Sequence, residues 1–596
     1  MPDHVSVGEL AGVDGMGVGI LSAGIGDVSA AQTYLDVGQG TRIPDSLYDG
    51  SLPRLEVGSS RVPRSQWGAV RERAASAPAD VVPGLLATTL ERARVAVDPD
   101  PGAGRAALML ADEHGALGER RCRGEGCPSV RVVIADLAHI RRIARTFRGS
   151  GLLIAIEQAP PDPNHGLALG IAGRGFDGTL TSDSTRIRGY VLSTDIGPTI
   201  LGRLGIPVPD DMTGEAIRTD GAVDASNVQG LQDRLAVIGP RRAPVIGMSV
   251  LIWVVLTVLA GIAFRSDGLR VALTILAATL AFVPAVLLLC AALEPSELAE
   301  RLIVGIGCPT LATITLWLAP GMRGLAIAAA ASVIAYGVDV AAGSHLTELS
   351  LIGPNPAGGV RFYGIGNELE ATLSALVPIG IGAALAGWAP RASARAAGVA
   401  FAMAGLAAVA VFAPGRFGAD VGAAIGIPIG IAVAIGVCVG ARRGHLAWVI
   451  VAPIAVLAAL VAVDLALGGN AHLTRTILRA GGLDDLGQIF QRRLELSAHS
   501  FSRYAHTVIF WIVVALIVAG LVESRRIRAW FGTRRAAWAG FLGAIAATLA
   551  GTLANDSGAL LLQIGTVLAA ATVGVAWATR DQPHAPALWR PAGPVT

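Results

Sequence analysis

The sequence predicts an α/β domain over residues 1–243, followed by an all-α polytopic transmembrane bundle of about eleven helices over 244–580. Three observations carry this. The 596 residues are 53% hydrophobic and only 15% charged, with a mean hydropathy of +0.57, too apolar for an ordinary soluble enzyme. The composition changes at Arg241-Arg242, where scattered charges, Pro and Gly give way to apolar runs of about 17–22 residues, each long enough to cross a hydrocarbon core of about 30 Å. Before that point, short apolar runs rich in β-branched residues alternate with helical stretches.

In the first part, "VRVVIADL" (130–137) and "GLLIAIEQ" (151–158) read as buried strands, and "AHIRRIARTF" between them as an amphipathic helix. That alternation argues for a largely parallel sheet. Asp195 is placed to cap a helix that has Pro198 in its first turn and stops at Gly205 and Pro207. The five Cys do not form a disulfide framework. Cys290, Cys308 and Cys438 lie in apolar runs and read as inert core residues, whereas Cys122 and Cys127, in "RCRGEGCP", suit a small disulfide on an oxidising side of the membrane. The net charge of +2 gives no reason to expect a nucleic-acid partner, and the basic residues are all Arg.

The stretch "HGLALGIAGRGFDGTLTSDSTRIRGYVLSTDIGPTILGRLGIPVPDDMTGEAI" (165–217) resembles the last third of the alkaline-phosphatase superfamily: His-Gly before a strand, a G-x-G-F turn, then T-D-I-x-P-T-I-L opening a helix. The resemblance implies a sulfatase- or phosphodiesterase-like fold binding two divalent metal ions, zinc or manganese, with a Ser or Thr nucleophile attacking phosphorus. On that pattern His165 matches the late His ligand, and Asp136 with His139, in "ADLAH", the paired Asp/His site, one residue shorter than usual. Ser29 and Thr33, in "DVSAAQTYLDVGQGTRI", lie where a nucleophile would stand. The expected Asp-His-Gly is replaced by "IAIEQAPP", leaving Glu157 as its only carboxylate, so the domain is expected to be degenerate, a binding domain or pseudoenzyme. It is also expected to be N-terminally incomplete, because "PDHVSVGELAG" after Met1 is polar and carries no export signal.

The spans are expected at 244–264, 271–292, 302–319, 324–342, 371–388, 397–413, 421–440, 446–467, 505–522, 537–553 and 557–577. Arg265, Arg270, Arg323, Arg391, Arg395, Arg442, Arg443, Arg525, Arg526, Arg528, Arg534 and Arg535 fall on one side; the short loops opposite hold only Arg301, Arg361 and Arg416. The positive-inside bias therefore predicts a multi-pass plasma-membrane protein with residues 1–243 extracytoplasmic and a cytoplasmic tail over 581–596. Residues 468–504 read as an outer insert with an amphipathic helix on the leaflet.

Polar residues of the bundle collect at the extracytoplasmic ends: Arg361, Asn367 and Glu368 in "GGVRFYGIGNELEA", then Asp420, Asp464, His472, Asn555 and Asp556. Charges at membrane depth are costly, so they are expected to form a polar pocket, with Arg361 suited to a phosphate or carboxylate. "RFYGIGNE", "GADVG" and "NDSG" in this order resemble the membrane signatures of bacterial (actinobacterial-type) polytopic proteins with an alkaline-phosphatase-like outer domain; the domain order is also similar to that of GPI ethanolamine-phosphate transferases. The resemblance implies a cell-envelope phosphotransferase or hydrolase acting on the phospho-headgroup of a lipid or lipid-linked glycan. A transporter or flippase, and a non-catalytic envelope-assembly protein, are the competing readings.

Overall fold

A computed structural model describes residues 5–77, 79–117, 128–146, 151–159, 166–440, 446–466, 494 and 497–581. The chain divides into two compact units: Met1–Val237 with Asn355–Phe362, and Ile238–Pro354 with Tyr363–Thr596. The first thus recruits a short segment lying between two spans of the second.

The first unit is built on a six-stranded sheet, with β1 (Met16–Ser22) fully buried at its centre. β5 (Leu167–Gly173) runs antiparallel to β1, with Met16 opposite Ala172 and Leu21 opposite Leu167; β4 (Leu152–Ile156) runs antiparallel to β5 at the edge. On its other side β1 pairs in parallel with β6 (Thr179–Thr181) and β7 (Tyr190–Leu192), and β8 (Arg218–Asp220) runs antiparallel to β6. The sheet is therefore mixed rather than largely parallel. β4 and β5 are too close in sequence for a helical crossover, so they pair as antiparallel neighbours. The expected strand over 130–137 is only Ser129–Val132 (β3), partly exposed and paired in parallel with β2 (Ala96–Pro99) in a separate two-stranded sheet. The predicted helix after it is present as Leu137–Thr146.

Helix α1 (Val7–Ala11) opens on a Ser6–Glu9 capping box, and α2 (Ala30–Gln39) follows β1 with Ser29 as its cap. The helix Ile196–Arg203 ends where expected, before Gly205 at φ +67°, and Asp195 stands at its N-cap position without a side-chain capping bond. Its carboxylate instead accepts from Ser182 Oγ and Leu192 N on one oxygen and from Ser184 Oγ and Glu215 N on the other, tying three loops together.

The second unit is a helical bundle. Among the described residues nine helices are long and apolar enough to cross a membrane. The first, 225–293, contains two expected spans separated by a break at Arg265 (φ 56°, ψ −141°), and the 505–522 span is the second arm, Val508–Val522, of a pair bent by 111° after Ser497–Tyr504. Each expected span therefore has a helix. Large apolar side chains such as Leu256, Ile262, Phe264, Trp448 and Val522 stand more than half exposed, as lipid-facing residues do. The interior is packed with small residues. Gly382 meets Gly540, Gly430 meets Gly543, and the backbones of Asn367–Trp388, Val421–Val439 and Arg535–Ala554 approach closely at these points. Residues 467–493, most of the expected outer insert, lie outside the described residues.

Candidate functional site

In the first unit, Ser29 Oγ accepts from Gln32 N at 3.2 Å, and Thr33, one turn on, is buried. Both lie at the start of α2, immediately after the loop that follows β1. Asp136 accepts from His139 N at 2.7 Å, so its carboxylate caps the helix Leu137–Thr146, and both residues are exposed. His165, Cys122 and Cys127 lie outside the described residues, whereas Cys290, Cys308 and Cys438 are buried. Among the described residues no three His, Cys, Asp or Glu side chains gather into a group able to hold a metal ion.

The polar centre of this unit is elsewhere. Asp36, one turn beyond Thr33, is buried and accepts from Gln32 Nε2 (2.7 Å) and Gln39 Nε2 (2.9 Å). Burial pushes its carboxyl up to about 7, against the pull of those bonds and of Arg42 and Arg73. Arg73 donates to Gln32 Oε1, pairs with Asp45 and stacks over the Tyr48 ring. Arg42 donates to Ser22 Oγ and to the carbonyl of Gly359, and lies over the Phe362 ring; Tyr190 donates to the Pro356 carbonyl. These contacts hold the segment Asn355–Phe362 in the first unit, Arg361 included.

The remaining residues of the expected polar pocket that can be described belong to the second unit, apart from Arg361. Asn367 and Glu368 open α12 (Asn367–Trp388), and Asp420, buried, caps α14 (Val421–Val439) by accepting from Ala423 N at 2.6 Å. Asn555, Asp556 and Ser557 form the turn between α19 (Arg535–Ala554) and α20 (Gly558–Ala578), the last two helices of the bundle. Asn367 Nδ2 donates to Ser557 Oγ at 2.9 Å and to Asp556 at 3.4 Å, and Asn555 Nδ2 donates to Asn367 Oδ1 at 3.1 Å. Glu368 is not in this network; it pairs with Arg242 at 2.6 Å. Asp464 stands near the end of the helix Leu446–Ala466, and His472 lies outside the described residues.

At the centre of the cluster stands Glu370, which belongs to the same stretch as Asn367 and Glu368. It is 1% exposed and accepts from Asn555 Nδ2 at 2.6 Å. Its carboxylate occupies the space left by Gly422 on α14 and Gly551 on α19; a Cβ at Gly422 would stand 2.1 Å from Oε1. The signal available in the sequence was a Glu one helical turn after Asn367 and a glycine column, Gly422, Gly426 and Gly430, on a later span. Another buried acid, Glu348, sits in the connection before α12, where burial and the nearby Asp339 hold its carboxyl well above the usual range. Comparison with known proteins identifies no relative: no family model, curated protein or solved structure matches the chain.

Proposed function

We propose that the protein is a multi-pass membrane transporter or flippase that moves a polar or lipid-linked cargo through its helical bundle. The observation that carries this is Glu370, a carboxylate buried at the junction of three spans and held by an amide. A carboxylate buried where a span begins costs free energy unless it is paired, which favours work on a charged or polar species. Pro378, Pro428 and Pro453 inside spans, and the bent pair ending at Val522, add the interrupted backbone that such bundles use. The Arg distribution supports an extracytoplasmic first unit.

Phospho-headgroup transfer is the second reading, favoured by Ser29, exposed at the N-cap of the helix after β1. One experiment separates the two. The full chain is reconstituted into liposomes containing a lipid with a fluorescent headgroup, and dithionite is added outside. Transport predicts that the bleached fraction rises from about half, the outer leaflet alone, towards completeness. Bleaching unchanged from protein-free liposomes, together with near-stoichiometric zinc or manganese that is lost in Asp136→Ala, overturns the transport reading in favour of phosphotransfer.

A further inference from the structure

The end of the bundle opposite the Asn367–Asp556 seam is rich in arginine. There α12 ends at Trp388, α13 (Ala394–Phe412) begins, α14 ends at Val439 and α19 begins at Arg535. Between these four helix ends lies a cavity of about 150 Å3, whose lining includes Leu385, Ala389, Ala397, Cys438, Arg534 and Arg535. Two helices begin there and two end, so their dipoles offset and the side chains decide the sign of the site. Arg534 is occupied by the scaffold: it donates to the carbonyls of Trp530, Phe531 and Ala576 and to Thr579 Oγ1. Arg535 is placed differently. Its Nε donates to the Val437 carbonyl at 3.1 Å, and its Nη2 stands 3.0 Å from the position of a Cβ on Gly440, so the side chain crosses the end of α14. Among the described residues neither of its terminal nitrogens has a hydrogen-bond partner.

No carboxylate lines the cavity. The stretches 371–419, 421–463 and 524–555, which supply every lining residue, contain no Asp or Glu at all. Among the described residues the acids at this end are Asp267, Glu523 and Asp581; Glu523 pairs with Arg526, and Asp581 with Arg270 and Arg580. The uncompensated charge therefore calls for an anion. The cavity is smaller than the ~300–1,000 Å3 of pockets that enclose a whole ligand, so it has room for a head group while the remainder lies outside. The adjoining surface is apolar. Val439 packs 3.9 Å from the position of a Cβ on Gly398, and Val439 and Val399 are 44% and 55% exposed, as lipid-facing side chains are. Trp388, 53% exposed at the end of α12, suits the boundary between hydrocarbon and head groups. A guanidinium matches the oxygens of a phosphate, and basic pockets between spans bind anionic lipid head groups. We propose that this cavity seats the phosphate of an anionic phospholipid, held by Arg535, with an acyl chain along the exposed apolar surface of α13 and α14. The site stands whether or not the bundle moves a cargo.

The test titrates the full chain in detergent with phosphatidylglycerol, phosphatidylcholine or inorganic phosphate. Bound lipid is counted by native mass spectrometry, and the apparent melting temperature is recorded beside it. Phosphatidylglycerol is expected to bind in preference to phosphatidylcholine and to raise the melting temperature. Arg535→Gln is expected to weaken that binding about fivefold, the effect of one charge near the membrane surface. Ala389→Leu fills the cavity from an exposed position and leaves the arginine in place; it should weaken binding too, and it carries the test if Arg535→Gln does not fold. Arg526→Gln, at the same end but outside the cavity, should leave binding unchanged. Equal binding of the two lipids overturns the proposal, as does binding that neither Arg535→Gln nor Ala389→Leu alters. A loss in Arg526→Gln as large as in Arg535→Gln overturns it in favour of general attraction to a basic surface. Inorganic phosphate that displaces the lipid at comparable concentration overturns it in favour of a soluble anion.

Discussion

Asp36 shows how a single buried group is expressed in the behaviour of the first unit. Its carboxyl is raised from 3.8 to about 7, chiefly by burial. Between those values the folded chain holds a proton that the unfolded chain has released, so stability is fully present below the lower value and is lost as pH rises through the upper one. A shift of this size corresponds to about 4 kcal/mol. Hydrogen exchange of α2 in the full-length protein, corrected for intrinsic rates, should therefore show protection falling from pH 4 to pH 7, roughly the span between the two carboxyl values. Asp36→Asn should flatten that dependence; an equal slope in the variant would remove Asp36 as its source. In the sequence Asp36 is one more carboxylate of a helix, because its burial depends on Gln32, Gln39 and Arg73 closing around it. Ser29, read from the sequence as a candidate nucleophile, and Asp136, read as a candidate metal ligand, both act as helix caps, a role set by local backbone geometry.

Among elements, the spans were the most legible and the sheet the least. A span is a run of apolar residues as long as the bilayer is thick, and every expected run is a helix. The order of strands is not a local property: β1 is central because residues from Leu152 to Leu192 assemble on both its edges. Helix packing in the bundle rests on glycine in the same non-local way. A Cβ at Gly540 would stand 2.3 Å from the Pro378 carbonyl, a backbone atom that moves only with α12. Gly540→Ala should cost about 1–3 kcal/mol, read as a lower apparent melting temperature in detergent. Gly520→Ala, with nothing within 4 Å, should leave melting unchanged or raise it slightly, since Ala favours helix. Equal melting of the two variants would show that the close approach at Gly540 contributes nothing to stability.

For the whole molecule, the Arg asymmetry leads to a topology that can be measured directly. With the native cysteines changed to Ser, Asp183→Cys in the exposed part of the first unit should react with a membrane-impermeant maleimide in intact cells. Arg526→Cys, between the spans ending at Val522 and opening at Arg535, should react only after permeabilisation. The reverse pattern would invert the proposed orientation. The sequence by itself determined that this is a polytopic membrane protein and where its spans lie, because hydropathy over one bilayer thickness is a property of each segment alone. Only the tertiary structure decided which polar residues meet. Arg361, expected beside Asn367, belongs to a segment held in the first unit by Arg42 and Tyr190, while Glu370 is enclosed by Gly422, Gly551 and Asn555. Such meetings depend on the approach of segments far apart in the chain, which no periodicity within one segment records.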